Sequence, residues 1–597
     1  MGGGPADGTA SMEERPGRKP GLGGWARAAA ARLWRADHKT VGLLYGVTAF
    51  GFLLTGFLLM LLLRWQLAHP GEPVPGATAL LGPNNPSMPG GVITPEFYNS
   101  LGAMHGTIMV FLAVAPLGVG AFGVYLTPLL IGARDMAFPR LTRAAYLAYL
   151  AGGLVMLAGF LAPGGAARSG WTAYPPLAVI EPMGQTFWLL GVLGVMIASV
   201  LHGVNMIATV VQLRAPGMTF MRMPLFVWSQ VVSAFLLLLA FPPLGAAGLL
   251  QLMDRAVGTS FFMPSGLVVG GDVVEVSGGG SALLWQHLFW FLAHPEVYVL
   301  ILPAIGIVAE IVANNIRKPL WGYRAVVYAT LFLGVMSFLV WAHHMYLTGM
   351  GTAISAFFQA TTLIISVPSI VVLTSLLISL WGGAIRFTVP MLYALAFLPM
   401  FAIGGLTGLP LAFAMTNIHL HDTYYVIGHF HYIVAPGALF AFFGGVHHWF
   451  PKITGRKMSD FLGKLHFWPT LVLMNAIFFP MFIQGLAGVS RRLYDGGMTY
   501  AHAEPVLHLN AFMSYAAFAL AVAQIAFVLN VCWSVWRGAP ASANPWEANT
   551  LEWAAPSPPV AEGNFTGPII VRRGPYEYSP PGHDADYLPQ HAPEIKP

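Results

Sequence analysis

Twelve long apolar runs, almost free of charge, set the terms on which this chain can fold. They lie at about 41–63, 97–130, 144–166, 183–212, 224–252, 283–312, 321–342, 350–380, 386–408, 424–449, 465–487 and 508–536. Each reaches the roughly 20 residues that an α-helix needs to cross a bilayer. In hydrocarbon every backbone N–H and C=O must be satisfied within the segment, so runs of this length and sequence have to be helical. Only 9% of the 597 residues are charged, against about 25% in a soluble domain. The chain therefore reads as an all-α integral membrane protein with about twelve transmembrane helices. Residues 1–39 form a basic cytoplasmic arm, 40–537 the twelve-helix core, and 538–597 an irregular, Pro-rich cytoplasmic tail.

Charge placement tests the count. With the N-terminus and every second loop inside, the inside segments hold 24 of the 29 Lys and Arg. The outside keeps Arg64, Arg168, Arg255, Arg491 and Arg492. That asymmetry follows the positive-inside rule; an odd number of spans would spoil it. Both termini then lie in the cytoplasm, and the inner membrane of a bacterium is the expected location. The net charge of +5 reflects topology, not a nucleic-acid partner. The single cysteine, Cys532, excludes a disulfide framework, CxxC zinc sites and CxxCH heme attachment; it reads as a packing residue.

The 19 histidines carry the functional signal, because several lie inside apolar runs where an ionisable group is costly. Residues 429–431 read His-Phe-His. Positions two apart on a helix diverge by about 200°, so His429 and His431 face opposite sides and can serve two centres, or bond two neighbouring helices. His343 and His344 end another span and reach one metal only if it sits just off the helix end. Imidazole suits copper, iron or zinc. In His294-Pro-Glu-Val-Tyr298 the imidazole and phenol share one helical face. Pro295 frees a carbonyl one turn back, and Glu296 is an acid within an apolar helix, suited to carrying a proton or to standing as a protonated, hydrogen-bonded core residue. His105 precedes Gly106, which leaves space for a flat group; by itself it can equally be structural. Arg491 and Arg492 suit paired carboxylates or are solvated loop arginines.

These strings together resemble the heme–copper oxidase superfamily, specifically subunit I of A-type cytochrome c oxidases. The resemblance runs from Asp37-His-Lys to Trp553. It includes Met104-His105-Gly106, Ile131 to Arg140, Arg214-Ala-Pro-Gly-Met-Thr219, Gln286 to Phe291 and His421-Asp-Thr-Tyr-Tyr425. It implies the following roles. His105 and His431 are the axial ligands of a low-spin heme and His429 the proximal ligand of a high-spin heme, both of the A type. His294, His343 and His344 hold copper B, with Tyr298 cross-linked to His294. His421 and Asp422 contribute to a magnesium site shared with subunit II. Arg491, Arg492, Trp171 and Tyr174 meet the propionates, and Arg64 lies beside the low-spin heme's formyl group. A proton path runs from Asp135 past Asn205 and Ser199 to Glu296. The implied partners are subunit II carrying copper A, subunit III, small subunits and cytochrome c as donor. The implied reaction is the reduction of dioxygen to water coupled to proton translocation.

Departures from the family pattern mark three places. Val124 and Thr142 stand where asparagines are common near Asp135. Ser265 to Ser281 adds an outer loop containing Asp272 and Glu275. Val372 replaces the lysine of a second proton path, interrupting a stripe of Thr362, Ser366, Ser369 and Ser375 that otherwise serves water or backbone carbonyls. A quinol oxidase is the nearest rival, but Thr55, Leu59, Phe97 and Ser100 occupy the positions of its quinone-binding residues. A nitric-oxide reductase would lack Tyr298. A twelve-span transporter with structural histidines would be colourless.

Overall fold

The structure, a computed structural model, describes residues 35–274, 278–582 and 584–593. The first 34 residues of the basic arm and Glu275 of the outer loop lie outside them. Among the described residues twelve helices are long and apolar enough to span a membrane. They are α1 (His38–Ala68), α2 (Pro95–Ile131), α3 (Pro139–Leu161), α4 (Gly184–Gln212), α5 (Leu225–Ala256), α6 (Ala282–Ile316), α7 (Tyr323–Thr348), α8 (Thr352–Leu380), α9 (Val389–Ala412), α10 (Tyr424–Thr454), α11 (Asp460–Leu486) and α12 (His508–Arg537). The apolar runs locate all twelve; the ends move because caps and turns decide them. At α1 the Asp37 carboxylate accepts from the Thr40 backbone N–H at 3.1 Å and starts the helix three residues before the apolar run.

The bundle is layered by burial. In its most apolar stretch α6 is 89% buried and α2 83%, whereas α1 is 22% and α12 33%. The first pair therefore forms the centre and the second faces lipid. Cys532 lies on the lipid side of α12 and is exposed, so it is not a packing residue. Close crossings use glycine. A Cβ on Gly152 of α3 would come within 2.7 Å of the Gly191 carbonyl oxygen of α4, the small-residue contact that lets membrane helices approach.

Three irregularities bear on function. α2 widens into π-type turns over Ile108–Val114 and Pro116–Gly123, and α10 does so over Val434–Leu439; such turns gather at functional sites. These stretches begin three residues after His105 and His431. The regular helix of α7 stops at Met336, and Trp341–Thr348 continues as tight 3-10 turns. His343 and His344 thus sit on a 3-10 segment and not on an α-helical end.

The outer loop carries a hairpin in which Val268–Val269 pairs antiparallel with Asp272–Val273. The described residues of 538–593 contain one short helical turn, Leu551–Ala554, and are otherwise irregular, yet they pack firmly across the bundle. Leu551, Trp553, Tyr576 and Tyr578 are buried. Arg317 grips Asp586 with two bonds of 2.8 and 2.6 Å, and the Tyr576 hydroxyl donates to Glu310 of α6 at 2.6 Å.

Candidate metal centre

α6 and the 3-10 end of α7 bring His294, His343 and His344 together, with one ligand atom from each lying within 4.8 Å of the others. His294 Nδ1 is 3.4 Å from His344 Nε2, and His343 Nε2 is 3.1 Å from the same atom. Three neutral imidazoles cannot all satisfy one another by hydrogen bonds, whereas a metal ion between them uses one lone pair from each. The outer atoms are held. His343 Nδ1 lies 2.9 Å from the Thr362 hydroxyl of α8, and the Trp290 indole stacks on His344 at 3.8 Å between centroids. Such contacts orient a ligand ring and fix its tautomer. His294 Nε2 is buried without a partner, and the Tyr298 ring stands 5.1 Å from the His294 ring between centroids.

His429 and His431 diverge as their spacing requires. His429 Nδ1 meets the Gly404 carbonyl of α9 at 2.8 Å. His431 turns to α2, where its ring lies parallel to that of His105 within 10°, with centroids 6.5 Å apart. His105 Nδ1 meets the Gly56 carbonyl at 2.9 Å and His431 Nδ1 the Ile427 carbonyl at 2.8 Å. In all three the Nδ1 proton is engaged by a carbonyl, which leaves Nε2 as the lone-pair atom. Two parallel imidazoles at this separation fit an ion bound between their Nε2 atoms, and His429 offers one Nε2 on the other side. The donor set therefore fits two hemes and a copper ion. A Cβ on Gly106 would meet the Trp171 Cβ at 3.1 Å and its indole Cγ at 3.2 Å, so this glycine lets the Trp171 side chain approach α2 closely.

Above these rings lies a polar cluster. Arg491 Nε donates to Asp422 Oδ1 at 2.6 Å, and His421 Nε2 is 3.5 Å from Asp422 Oδ2. Burial works to raise the Asp422 carboxyl, but Arg491, His421 and Arg492 outweigh it and hold it below the usual range. Burial, with Arg491 beside it, brings the Arg492 guanidinium down to about 10, still protonated at neutral pH. Arg492 packs against Gly170, one residue before Trp171, and Trp290 donates to the Tyr174 hydroxyl. Arg64 is 5% exposed and its Nη1 has no partner. Arg64 is buried, Arg491 half-buried and Arg492 exposed, and with a single carboxylate among them these cations suit further anionic or carbonyl groups.

At the opposite end Asp135 sits in the turn between α2 and α3. Its Oδ1 accepts from the backbone N–H of Met136 at 2.7 Å and of His38 at 3.0 Å. Burial lifts its carboxyl above the ordinary value, against the opposing pull of His38. Asn205 does not touch Asp135. It ties down the same turn, accepting from Phe138 N at 2.9 Å and donating to Phe138 O and to the Thr142 hydroxyl. Ser199 and Glu296 line one internal cavity, far up α4 from that turn. Val124 is fully buried.

The bundle and its gathered imidazoles define a membrane-embedded, metal-dependent oxidoreductase. The comparisons make that particular. Residues 40–525 match the family described as cytochrome c and quinol oxidase polypeptide I. The chain is 42% identical over 564 residues to the alternative cytochrome c oxidase subunit 1 of Bradyrhizobium diazoefficiens, covering 93% of this chain and 92% of that one. It is 41% identical over 545 residues to cytochrome c oxidase subunit 1 of Synechocystis sp., covering 91% of each. Among solved structures, a heme–copper terminal oxidase dimer shares the fold, with a TM-score of 0.68, 19% identity and 84% of each chain covered. The chain belongs to this family: it is the catalytic subunit of a heme–copper terminal oxidase. Hemes and copper B are the cofactors of that family, it works with other oxidase subunits in the membrane, and the transporter reading falls.

Sequence reading alone did not single out Trp290, Gly404 or Gly56 as supports. Trp290 had a usable signal, four residues before His294 on the same face; the carbonyl acceptors on other helices had none.

Proposed function

We propose that this chain carries out the four-electron reduction of dioxygen to water with electrons from cytochrome c, coupled to proton translocation. The observation that supports this most is the convergence of His294, His343 and His344 beside a phenol one turn along α6. Bound hemes and copper B would supply the electron transfer and the oxygen-binding chemistry. His105 and His431 would hold the low-spin heme, His429 the high-spin heme, and the trio copper B. Thr362 and Trp290 hold His343 and His344 in position. Tyr298 can give up a proton and an electron where the O–O bond breaks, and the unpartnered Nε2 of His294 is consistent with a link to it. Protons are taken up at Asp135 and passed through the α4 cavity to Glu296.

The finer assignments follow the same chemistry. Arg64 suits the formyl group of heme A. Arg491, Arg492, Trp171 and Tyr174 suit propionates. His421 and Asp422 offer two donors to a magnesium ion, which a hard cation of this kind would complete with oxygens from subunit II. That subunit would carry copper A, since one cysteine is too few here; subunit III and small subunits complete the complex. Both termini lie on the cytoplasmic side of a bacterial inner membrane. The core is residues 40–537, preceded by the arm 1–39 and followed by the tail 538–597. A quinol donor is disfavoured because the Thr55 hydroxyl donates to Gly51 O and the Ser100 hydroxyl to Glu96 O and Ala166 O.

The purified complex tests this by its reduced-minus-oxidised spectrum, metal content and oxygen uptake. We expect two hemes, copper in this subunit that is lost in His343→Ala with both hemes retained, and loss of the high-spin signal in His429→Ala. Full copper and turnover in His343→Ala, or oxidation of quinol but not cytochrome c, would overturn the assignment.

A further inference from the structure

α4 presents a ladder of polar side chains at helical spacing: Thr209, Asn205, His202 and Ser199. The lower two are fully occupied. Thr209 Oγ1 accepts from Ala137 N at 2.9 Å and donates to Asn205 O at 2.7 Å. Asn205 spends both ends of its amide on Phe138 and Thr142. One turn further in, His202 is different. It is 6% exposed and has no hydrogen-bond partner among the described residues. It lines a cavity of about 40 Å³ together with Ser199, Tyr45, Tyr149 and Glu296; the rest of the wall is apolar and aromatic, from Phe111 to Phe241. A buried imidazole with nothing to bond is expensive, whereas water satisfies it. A water needs about 10–15 Å³ of such space, so the cavity has room for roughly three.

We propose that His202 is a proton-relay residue between the Asp135 turn and Glu296, resting on the route from Asp135 to Glu296 proposed above. Imidazole can accept a proton at one ring nitrogen while releasing one from the other. The nitrogen towards Asn205 takes a proton from water. The N–H on the cavity side gives its proton to water facing Glu296. The ring is then neutral again with its tautomer exchanged, and it resets by turning over about its Cβ–Cγ bond, which carries the new N–H to the cavity side. One proton has moved inwards; only N–H and O–H bonds have formed and broken. The titratable groups that face His202 are few. They are Tyr45 from α1, Tyr149 from α3 and Glu296 from α6. α5 contributes Leu237 and Phe241, neither of which titrates. The Tyr149 hydroxyl is committed to Leu112 O at 2.6 Å. Among the described residues no fixed cation lines the cavity to repel a proton on His202.

The test uses the assembled oxidase complex with its cofactors. His202→Gln keeps hydrogen bonding but cannot relay a proton; His202→Ala leaves a larger, water-accessible space. Proton uptake is followed by a pH dye during single-turnover oxidation of the reduced enzyme, and steady-state oxygen uptake is recorded from about pH 6 to about pH 9, a range that begins near the ordinary imidazole value of roughly 6.5. We expect normal heme spectra, proton uptake slowed about tenfold in His202→Gln, less than the roughly hundredfold or more supplied by a group acting in the chemical step itself, and a changed pH profile. A merely structural role would leave the shape of that profile alone. Asp135→Asn is run alongside. Normal uptake in Asp135→Asn removes the route itself. Slowed uptake there, with normal uptake and an unchanged profile in both His202 variants, removes His202 alone. Failure of both His202 variants to assemble assigns the residue to packing and overturns the relay.

Discussion

Asn564 closes the C-terminal segment over the Asp135 turn, and its removal has a calculable effect. The side chain is fully buried and makes four bonds. Its Oδ1 accepts from His38 Nε2 at 3.0 Å and from Lys39 Nζ at 2.9 Å. Its Nδ2 donates to Ala133 O at 2.9 Å and Arg134 O at 3.2 Å. Its backbone adopts φ 68°, a left-handed conformation that asparagine tolerates and alanine resists. Each bond is worth about 1 kcal/mol net, so Asn564→Gly should weaken closure by about 4 kcal/mol, with Lys39 keeping its bond to Val560 O at 2.8 Å. Asn564→Ala should lose about 1 kcal/mol more through its φ. At 1.4 kcal/mol per decade, about 4 kcal/mol raises the open population roughly a thousandfold. Limited trypsin digestion of the solubilised complex at Arg572 and Arg573 reads this population when opening is fast relative to cleavage. We expect wild type to be cut slowest, Asn564→Gly on the order of a thousand times faster and Asn564→Ala faster still. Equal rates for all three would refute the reasoning.

Four further outcomes are expected. Thr362→Val removes the hydroxyl beside His343 Nδ1 and should weaken copper retention by about 10- to 100-fold, measured as the copper-to-iron ratio after dialysis against a chelator; an unchanged ratio contradicts this. Glu296→Gln should lower oxygen turnover at least about tenfold with unaltered heme spectra, and near-normal turnover would mean that protons arrive another way. Burial pushes the Glu181 carboxyl up to about 7 from 4.5, against the Arg168 N–H and the charges of Arg168 and Arg255. The folded state therefore disfavours its ionised form, and stability is lost as pH rises from about 4.5 to about 7; Glu181→Gln should melt like wild type at the acid end and be more stable at pH 8 by at most roughly 3 kcal/mol. In α8 the Ser366 and Ser369 hydroxyls donate to Thr362 O and Ile365 O, and Val372 is 1% exposed between them and Ser375; Val372→Lys should leave turnover unchanged while Asp135→Asn stops it, and retained turnover in Asp135→Asn with loss in Ser369→Ala would reverse the choice of path.

What could be read from the residues depended on how local its cause was. The spans were legible because hydrophobic length and Lys/Arg placement are properties of the chain itself. The opposite facing of His429 and His431 followed from 3.6 residues per turn. The 3-10 segment under His343 and His344 did not, since Trp341 to Thr348 contains no proline or glycine to announce it. Gly106 signalled room for a flat group, and only the fold shows that Trp171 approaches it. Asn205 and Ser199 of α4 came from the family resemblance, which did not point to His202 between them; the cavity beside it does. The burial of residues 538–593 was hidden for a related reason: proline-rich, irregular sequence carries no period, and its partners Arg317, Glu310 and His38 lie hundreds of positions away.

That distance has a consequence for how the protein is made. Asn564 meets His38 across 526 positions of sequence. Chains grow at about 5–20 residues per second and their earlier parts fold first. Every transmembrane helix, and every histidine of the candidate metal centre, has therefore been synthesised before the residues that seal the Asp135 turn leave the ribosome. Loading of the histidine sites and sealing of the Asp135 turn are thus separable stages of biogenesis, and a polypeptide interrupted just after α12 would possess all of the former's donors and none of the latter's closure.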